Sequence, residues 1–381
     1  MNKIKVMTVF GTRPEAIKMA PLVKQMEQNE EIETIVCVTA QHREMLDSVL
    51  KIFDIKPKYD LNIMKHGQTI TDVTNRVLKE LESVIANDRP DVLLVHGDTT
   101  TTFSASLAAF YNKVPVGHVE AGLRSGNIYS PYPEEMNRKL TGMISSIHFA
   151  PTVGNKANLL KENVDEDKIC ITGNTVIDAL LSVIDGDYKF NNKDIDDIDY
   201  NNNKVILLTC HRRENWGKPM EDIFKAIKRV VQDNKNVEVI FPMHLNPKVR
   251  DCARSIMGDM QKIHLIEPLD YEPFANLMNK VDVILTDSGG IQEEAPAIGK
   301  PVLVLRNETE RPEAVEAGTA RVIGVDEETV YDATNLLIRD ENEYSKMSNA
   351  VNPYGDGKAC DRIIEYLIAN YKENVEKTKD L

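Results

Sequence analysis

Short, continuous apolar runs alternate along the chain with longer stretches whose apolar residues recur at helical spacing. Runs at 3–9, 33–38, 91–95, 114–119 and 146–149 predict strands in the first half, and runs at 204–208, 237–241, 262–265, 281–286, 301–305 and 321–323 predict strands in the second. These Val-, Ile- and Leu-rich runs lack the polar alternation of a half-exposed strand. They suit parallel strands covered on both faces. Segments 16–27 and 220–233, lying between runs, have the period of a helix packed on one side. Such alternation predicts an α/β fold with parallel sheets. The pattern lapses at 185–203, where Asp and Asn dominate, and an exposed loop is expected there. Its triplets Asp194/Asp196 and Asp197/Asp199 admit a metal–diphosphate reading, but acidic low-complexity loops are ordinarily just solvated. Beyond 357 the tail reads as a helix with Ile363, Ile364, Leu367 and Ile368 on one stripe.

At 381 residues the chain is too long for one ordinary domain and fits two. The carboxyl ends of both sets of strands are expected to face a cleft, the usual ligand site of such folds. Hydrophobic residues at 42% and charged residues at 28% exclude sustained disorder. The net charge of −14 repels polyanions and argues against a general nucleic-acid or anionic-membrane binder, though not against a small anion in a basic cleft. Five scattered cysteines with no C-x-x-C suggest neither a disulfide frame nor a zinc knuckle. With no signal-like N-terminus and no 18-residue apolar stretch, a cytoplasmic protein is expected.

Candidate chemistry gathers where the strands end. After the first run, Gly11-Thr12-Arg13-Pro14-Glu15 reads as a tight turn into a helix, with Arg13 and Lys18 near its positive end. No G-x-G-x-x-G follows any strand, so a nicotinamide or flavin fingerprint is missing and no cofactor is expected. His96-Gly97-Asp98-Thr99 closes another strand; an N-cap would explain one of these residues but not the cluster. Strand alternation would put His118 and Glu120 on one face, and Glu134 and Glu135 open a later helix. Asp98, Glu120 and Glu134 would form an acidic group whose members push each other's pKa values apart, giving an acid and a base from one residue type. The rival His-x-Glu metal site lacks a third ligand at the usual spacing, and no metal is expected. In the second half, Cys210-His211-Arg212-Arg213 brings an imidazole and two guanidinium groups to a strand tip, a natural anion site. Asp287-Ser288-Gly289-Gly290 offers bare backbone N–H groups, and Glu294 one turn later suits a neutral hydroxyl such as ribose; Arg306 and Arg311 follow the next strand. The ordinary reading of the glycine pair is a tight strand–helix turn.

The blocks Gly-Thr-Arg-Pro-Glu-Ala, His-Gly-Asp-Thr-Thr, Val-Glu-Ala-Gly-Leu-Arg, His-Arg-Arg-Glu-Asn, Asp-Ser-Gly-Gly-Ile-Gln-Glu-Glu and Glu-Arg-Pro-Glu-Ala occur in this order. Together they resemble the bacterial non-hydrolysing UDP-N-acetylglucosamine 2-epimerases, from residue 3 to about 370. The resemblance implies a glycosyltransferase-B architecture of two Rossmann-like domains: 1–172 with a returning helix at 360–381, and a UDP-binding domain at 173–359. It implies a cytoplasmic homodimer that interconverts UDP-GlcNAc and UDP-ManNAc for cell-surface polysaccharide. By motif it implies catalytic roles for Asp98, Glu120, Glu134 and His211. Substrate contacts are implied for Asp98, Glu120 and His211 among these and for Arg13, Lys18, Leu269 (through its main chain), Phe274, Ser288, Gly289, Gly290, Glu294 and Arg311. Gln41, His42, Arg212 and His244 match parts of a regulatory UDP-GlcNAc site, although segment 65–68 lacks an Arg that some regulated members have. A glycosyltransferase of the same architecture, a hydrolysing epimerase and a non-catalytic UDP-sugar sensor are the alternatives.

Overall fold

The apolar runs pair as parallel strands in two separate sheets. A computed structural model describes residues 3–40 and 43–377. One compact unit comprises Met1–Ser182 with Tyr354–Leu381, the other Val183–Pro353. In the first unit the strands are β1 (Ile4–Phe10), β2 (Ile32–Val38), β3 (Tyr59–Asp60), β4 (Val92–His96), β5 (Val116–Val119), β6 (Ile147–Ala150) and β7 (Ile169–Ile171). They lie in the order β3-β2-β1-β4-β5-β6-β7. In the second unit β8 (Lys204–Thr209), β9 (Val237–Pro242), β10 (Ile263–Ile266), β11 (Val283–Thr286), β12 (Val302–Val304) and β13 (Ala320–Val322) lie in the order β10-β9-β8-β11-β12-β13. Each sheet is doubly wound, so the chain reverses direction across it between β1 and β4 in one unit and between β8 and β11 in the other. Loops at such switch points splay apart and leave a crevice at the strands' carboxyl ends.

Both sheets have the predicted double cover. Val92 to Val95 and Val205 to Leu208 are wholly buried. The helix Ala359–Lys377 buries Ile363, Ile364 and Leu367 and packs on β1 and on the helix Arg13–Gln28. No helix among the described residues is long and apolar enough to cross a membrane. Two strands escaped the sequence pattern: β3 has two residues and β7 three, and both are sheet edges without a fully buried face. The Asp/Asn-rich segment also departs from a solvated loop. It forms a short helix, Lys193–Asp196, with Ile195 buried inside it and Ile198 buried just after it. Its carboxylates close local turns: Asp196 accepts from the N–H groups of Phe190 and Asn192, and Asp199 from those of Asn201 and Asn202.

A row of histidines crosses the first sheet. His118 on β5 is register-paired with Val95 on β4 and His148 on β6, and His96 closes β4; all three are at most 3% exposed. Burial pushes His96 and His148 down to about 4 and His118 down to about 3. The folded unit thus stays unprotonated where the unfolded chain binds protons. This contribution to stability is complete above the ordinary histidine value and is lost as pH falls towards 4. Between pH 7 and pH 5 each histidine should cost about 2 kcal/mol. Urea melts of wild type and His148→Phe at both pH values check this. The variant should lose about 2 kcal/mol less, and an equal loss would contradict it.

Candidate active site

In the first unit the β1 end and the β4 end are tied by one buried carboxylate. Gly11 follows β1, where a Cβ would stand 1.9 Å from Thr39 Oγ1, so no other residue fits. Thr12 caps the helix Arg13–Gln28 and Glu15 completes the capping box. Glu15 Oε2 accepts from Gly11 N (3.0 Å), Thr12 N (2.8 Å) and Thr12 Oγ1 (2.8 Å), while Oε1 accepts from the Thr99 and Thr102 hydroxyls at 2.6 and 3.0 Å. Burial pushes the Glu15 carboxyl up, and the bonds from Thr99, Gly11 and Thr12 oppose that. Arg13 opens the helix and makes no hydrogen bond or ion pair with the described residues.

Thr99, not Asp98, is the N-cap of the helix Thr100–Tyr111, which leaves Asp98 free of that duty. Asp98 Oδ2 instead meets Arg138 Nε at 2.9 Å and Nη2 at 2.7 Å, and its main-chain oxygen accepts from Asn137 Nδ2. Burial pushes the Asp98 carboxyl up; Arg138 opposes that and Glu120 adds to it.

The expected common face of His118 and Glu120 does not form. Strand β5 ends at Val119, and Glu120 turns into the left-handed region with φ 62°. His118 stays in the sheet, its Nε2 2.7 Å from Gly97 O. Glu120 faces the other way, in an ion pair with Lys18, accepting from Asn174 Nδ2 at 3.0 Å and lying 3.7 Å from His96 Nε2. A strained backbone at an ionisable residue marks a position whose side chain must be aimed.

The helix Glu134–Ile144 separates its two leading carboxylates. Glu135 is wholly buried and accepts from Ser125 N, Gly126 N and Arg138 Nη1, a structural task. Glu134 makes no hydrogen bond or ion pair with the described residues, and it precedes Arg138 by one turn on the same helix face. Lys18, Asp98, Glu120 and Arg138 are therefore joined by direct ion pairs or close charges, with Glu134 placed beside Arg138. Arg138, Asn174 and Glu15 were not singled out by the sequence. Arg138 and Asn174 act on partners far along the chain, and spacing alone carries no signal of that; the Thr12-x-x-Glu15 spacing does signal a capping box, though not the reach of Glu15 to Thr99 and Thr102.

In the second unit Asp287, which is wholly buried, organises the β8 and β11 ends. Its Oδ2 accepts from His211 N and Arg212 N, both at 2.8 Å, and from Asn215 Nδ2 at 3.1 Å. Its main-chain oxygen accepts from Arg212 Nε at 2.8 Å. His211 stacks on His244 with ring centroids 5.6 Å apart, and burial together with His211 pushes His244 down. Ser288 precedes the short helix Gly289–Glu294. A Cβ on Gly289 would come no closer than 3.8 Å to Arg311, and one on Gly290 no closer than 3.8 Å to Glu294 Oε2. Neither glycine has a positive φ. This chain's own packing thus requires no glycine at either place, unlike Gly11, and the open backbone is free for a ligand to approach. Arg311 is ion-paired with Glu293 and reaches Gly289. Half-buried Phe274 lies on the helix Tyr271–Lys280, with Leu269 just before it; burial and the nearby Glu294 push the Tyr271 hydroxyl up.

Of the four residues matched to a regulatory site, Arg212 and His244 adjoin His211, whereas Gln41 and His42 lie outside the described residues. Segment 65–68 does receive a guanidinium, from a helix further on: Arg76 Nη1 donates to Gln68 Oε1 at 3.1 Å. Among the described residues no cluster of His, Cys, Asp or Glu is arranged to hold a metal ion.

The family model described as UDP-N-acetylglucosamine 2-epimerase matches residues 24–368. A UDP-N-acetylglucosamine 2-epimerase of Bacillus subtilis is 57% identical over 371 residues, covering 97% of each chain. One of Escherichia coli is 54% identical over 380 residues, covering 96% of this chain and 99% of the other. The crystal structure of UDP-GlcNAc 2-epimerase from Neisseria meningitidis bound to UDP-GlcNAc superposes with a TM-score of 0.84 at 50% identity, covering 96% of this chain and all of that one.

Proposed function

Because the chain belongs to the UDP-N-acetylglucosamine 2-epimerase family, we propose that it interconverts UDP-GlcNAc and UDP-ManNAc by inverting C2 of the sugar. The observation that most supports this chemistry is the pair of unlike carboxylates at the first unit's switch point. Asp98 faces the Arg138 fork and is pushed up by burial, while Glu120 is ion-paired with Lys18 and accepts from Asn174. One residue type in two environments supplies an acid and a base.

The C2 proton of the sugar is not next to a carbonyl, so its direct removal is very unfavourable. Breaking the C1–O bond first sends that electron pair to the β-phosphate oxygen of UDP. A carboxylate then takes the C2 proton, and the C–H pair becomes the C1=C2 bond of 2-acetamidoglucal. In the return step the UDP oxygen adds back to C1 and C2 receives a proton on the opposite face. No electrons are gained or lost overall. We assign Asp98, Glu120 and Glu134 to proton transfer at the two faces of C2.

Donors aimed at the departing charge supply much of the catalysis in such a step. Arg13, His211, Arg311 and the Ser288-Gly289-Gly290 turn are assigned to the diphosphate. Leu269, through its main chain, Phe274 and Glu294 are assigned to the uridine. The same reading places Arg212 and His244, with Gln41 and His42, at a second, regulatory UDP-GlcNAc site, and it has the enzyme work as a homodimer that supplies ManNAc for surface polysaccharide.

The test is incubation with UDP-GlcNAc alone, followed by proton NMR of the sugar. UDP-ManNAc should appear without any acceptor. Free ManNAc would indicate a hydrolase. No turnover despite tight binding would indicate a sensor, and turnover only with an added acceptor a transferase.

A further inference from the structure

Asp287 makes two kinds of contact, and they divide between its oxygens. Oδ2 is saturated by the N–H groups of His211 and Arg212 and the amide of Asn215. Oδ1 is buried, lies 3.1 Å from His211 Nδ1 in a close charge contact and has no hydrogen bond of full geometry to any donor. A buried carboxylate oxygen without a donor is costly, and a neutral imidazole has one donor nitrogen to offer. A proton on Nδ1 sets the ring's one donor beside this oxygen. The ring is also held in place, because the main-chain N–H of His211 donates to the other oxygen of the same carboxylate and His244 stacks on the ring's face at an interplanar angle of 12°. The side chain of His211 is 40% exposed, while that of Asp287 is wholly buried.

We infer that Asp287 is the positioning residue of His211: it holds the proton on Nδ1 and leaves Nε2 as the one ring atom that meets the substrate. A carboxylate suits this task because it accepts from Nδ1–H in both ring states. Nε2 can then gain or release a proton while Nδ1 keeps its own. An amide at the same place cannot serve both states. With its oxygen held by the two backbone N–H groups and Asn215, an amide would turn its NH₂ towards Nδ1, and the ring would carry its proton on Nε2 instead. This inference rests on the reading of His211 as a reacting group. Its tautomer half stands on geometry alone.

The first test is nitrogen–proton correlation NMR on full-length protein labelled with ¹⁵N-histidine, with the His211 signals assigned by their loss in His211→Gln. In wild type the neutral form of the His211 ring should be protonated on Nδ1, and Asp287→Asn should move that proton to Nε2. A wild-type ring protonated on Nε2 would overturn the inference, whether or not the variant folds. The second test is kinetic. Asp287→Asn should lower kcat on the order of 10²-fold with little change in KM. In the His211→Gln background the same substitution should cost almost nothing, because Asp287 acts through the ring. If the two losses multiply, Asp287 serves only the turn and the inference fails. An unimpaired His211→Gln enzyme would instead overturn the reading of His211 as a reacting group, a result the tautomer measurement does not depend on.

Discussion

Asp98→Asn and Glu120→Gln should each give a folded protein that has lost about 10²–10⁴-fold in turnover, the usual contribution of a general acid or base. Both swaps preserve size. Asp98 is not the cap of the helix that follows it, so the amide leaves that helix start intact. It does remove the charge that meets the Arg138 fork and the proton that burial favours on this carboxyl. Glu120→Gln keeps the left-handed backbone and an oxygen for Asn174 but removes the ion pair with Lys18. Glu134→Gln should join them, because Glu134, unlike Glu135, has no structural bond to lose. Circular dichroism and UDP binding would establish that each variant is folded before its kcat is compared. Near-normal rates in all three would remove the acid–base assignment.

Gly290→Val should fold as well as wild type yet bind UDP on the order of 10²-fold more weakly. The added Cβ meets nothing closer than Glu294 Oε2 at 3.8 Å and the backbone has no positive φ, so neither the space at Cβ nor the backbone demands a glycine. What it blocks is the approach to the backbone N–H groups beside Ser288 and Arg311. Calorimetric titration with UDP measures the loss directly. Unchanged affinity would refute the nucleotide cradle, and a fall in melting temperature without ligand would show that Gly290 serves the fold after all.

The strand pattern was legible because buried parallel strands leave continuous apolar runs, and the edge strands β3 and β7 were not because a two- or three-residue edge leaves none. The candidate residues were legible as residue types, most of them near strand ends. Their partnerships were not. Lys18 pairs with Glu120, Asp98 with Arg138 and His211 with Asp287, each across 40 or more positions of sequence. These pairings depend on which strands the doubly wound order sets side by side. The alternation rule misplaced Glu120 for a local reason: the strand stops one residue before it. The Asp/Asn-rich segment looked solvated because its composition hides the two isoleucines that anchor it.

The central claim is that C2 is inverted through elimination and re-addition. It is tested most directly by running the UDP-GlcNAc incubation in D₂O with protein freed of small molecules, with the products read by mass spectrometry and proton NMR. If a carboxylate removes the C2 proton and a group on the other face returns one that has exchanged with solvent, deuterium should enter C2 of UDP-ManNAc in the first turnover. It should then accumulate in recovered UDP-GlcNAc as the reaction reverses. Small amounts of free UDP and 2-acetamidoglucal should escape on long incubation, since a noncovalent intermediate can leave an opened site. Full retention of the original hydrogen at C2, or turnover only with added nicotinamide, would contradict the account.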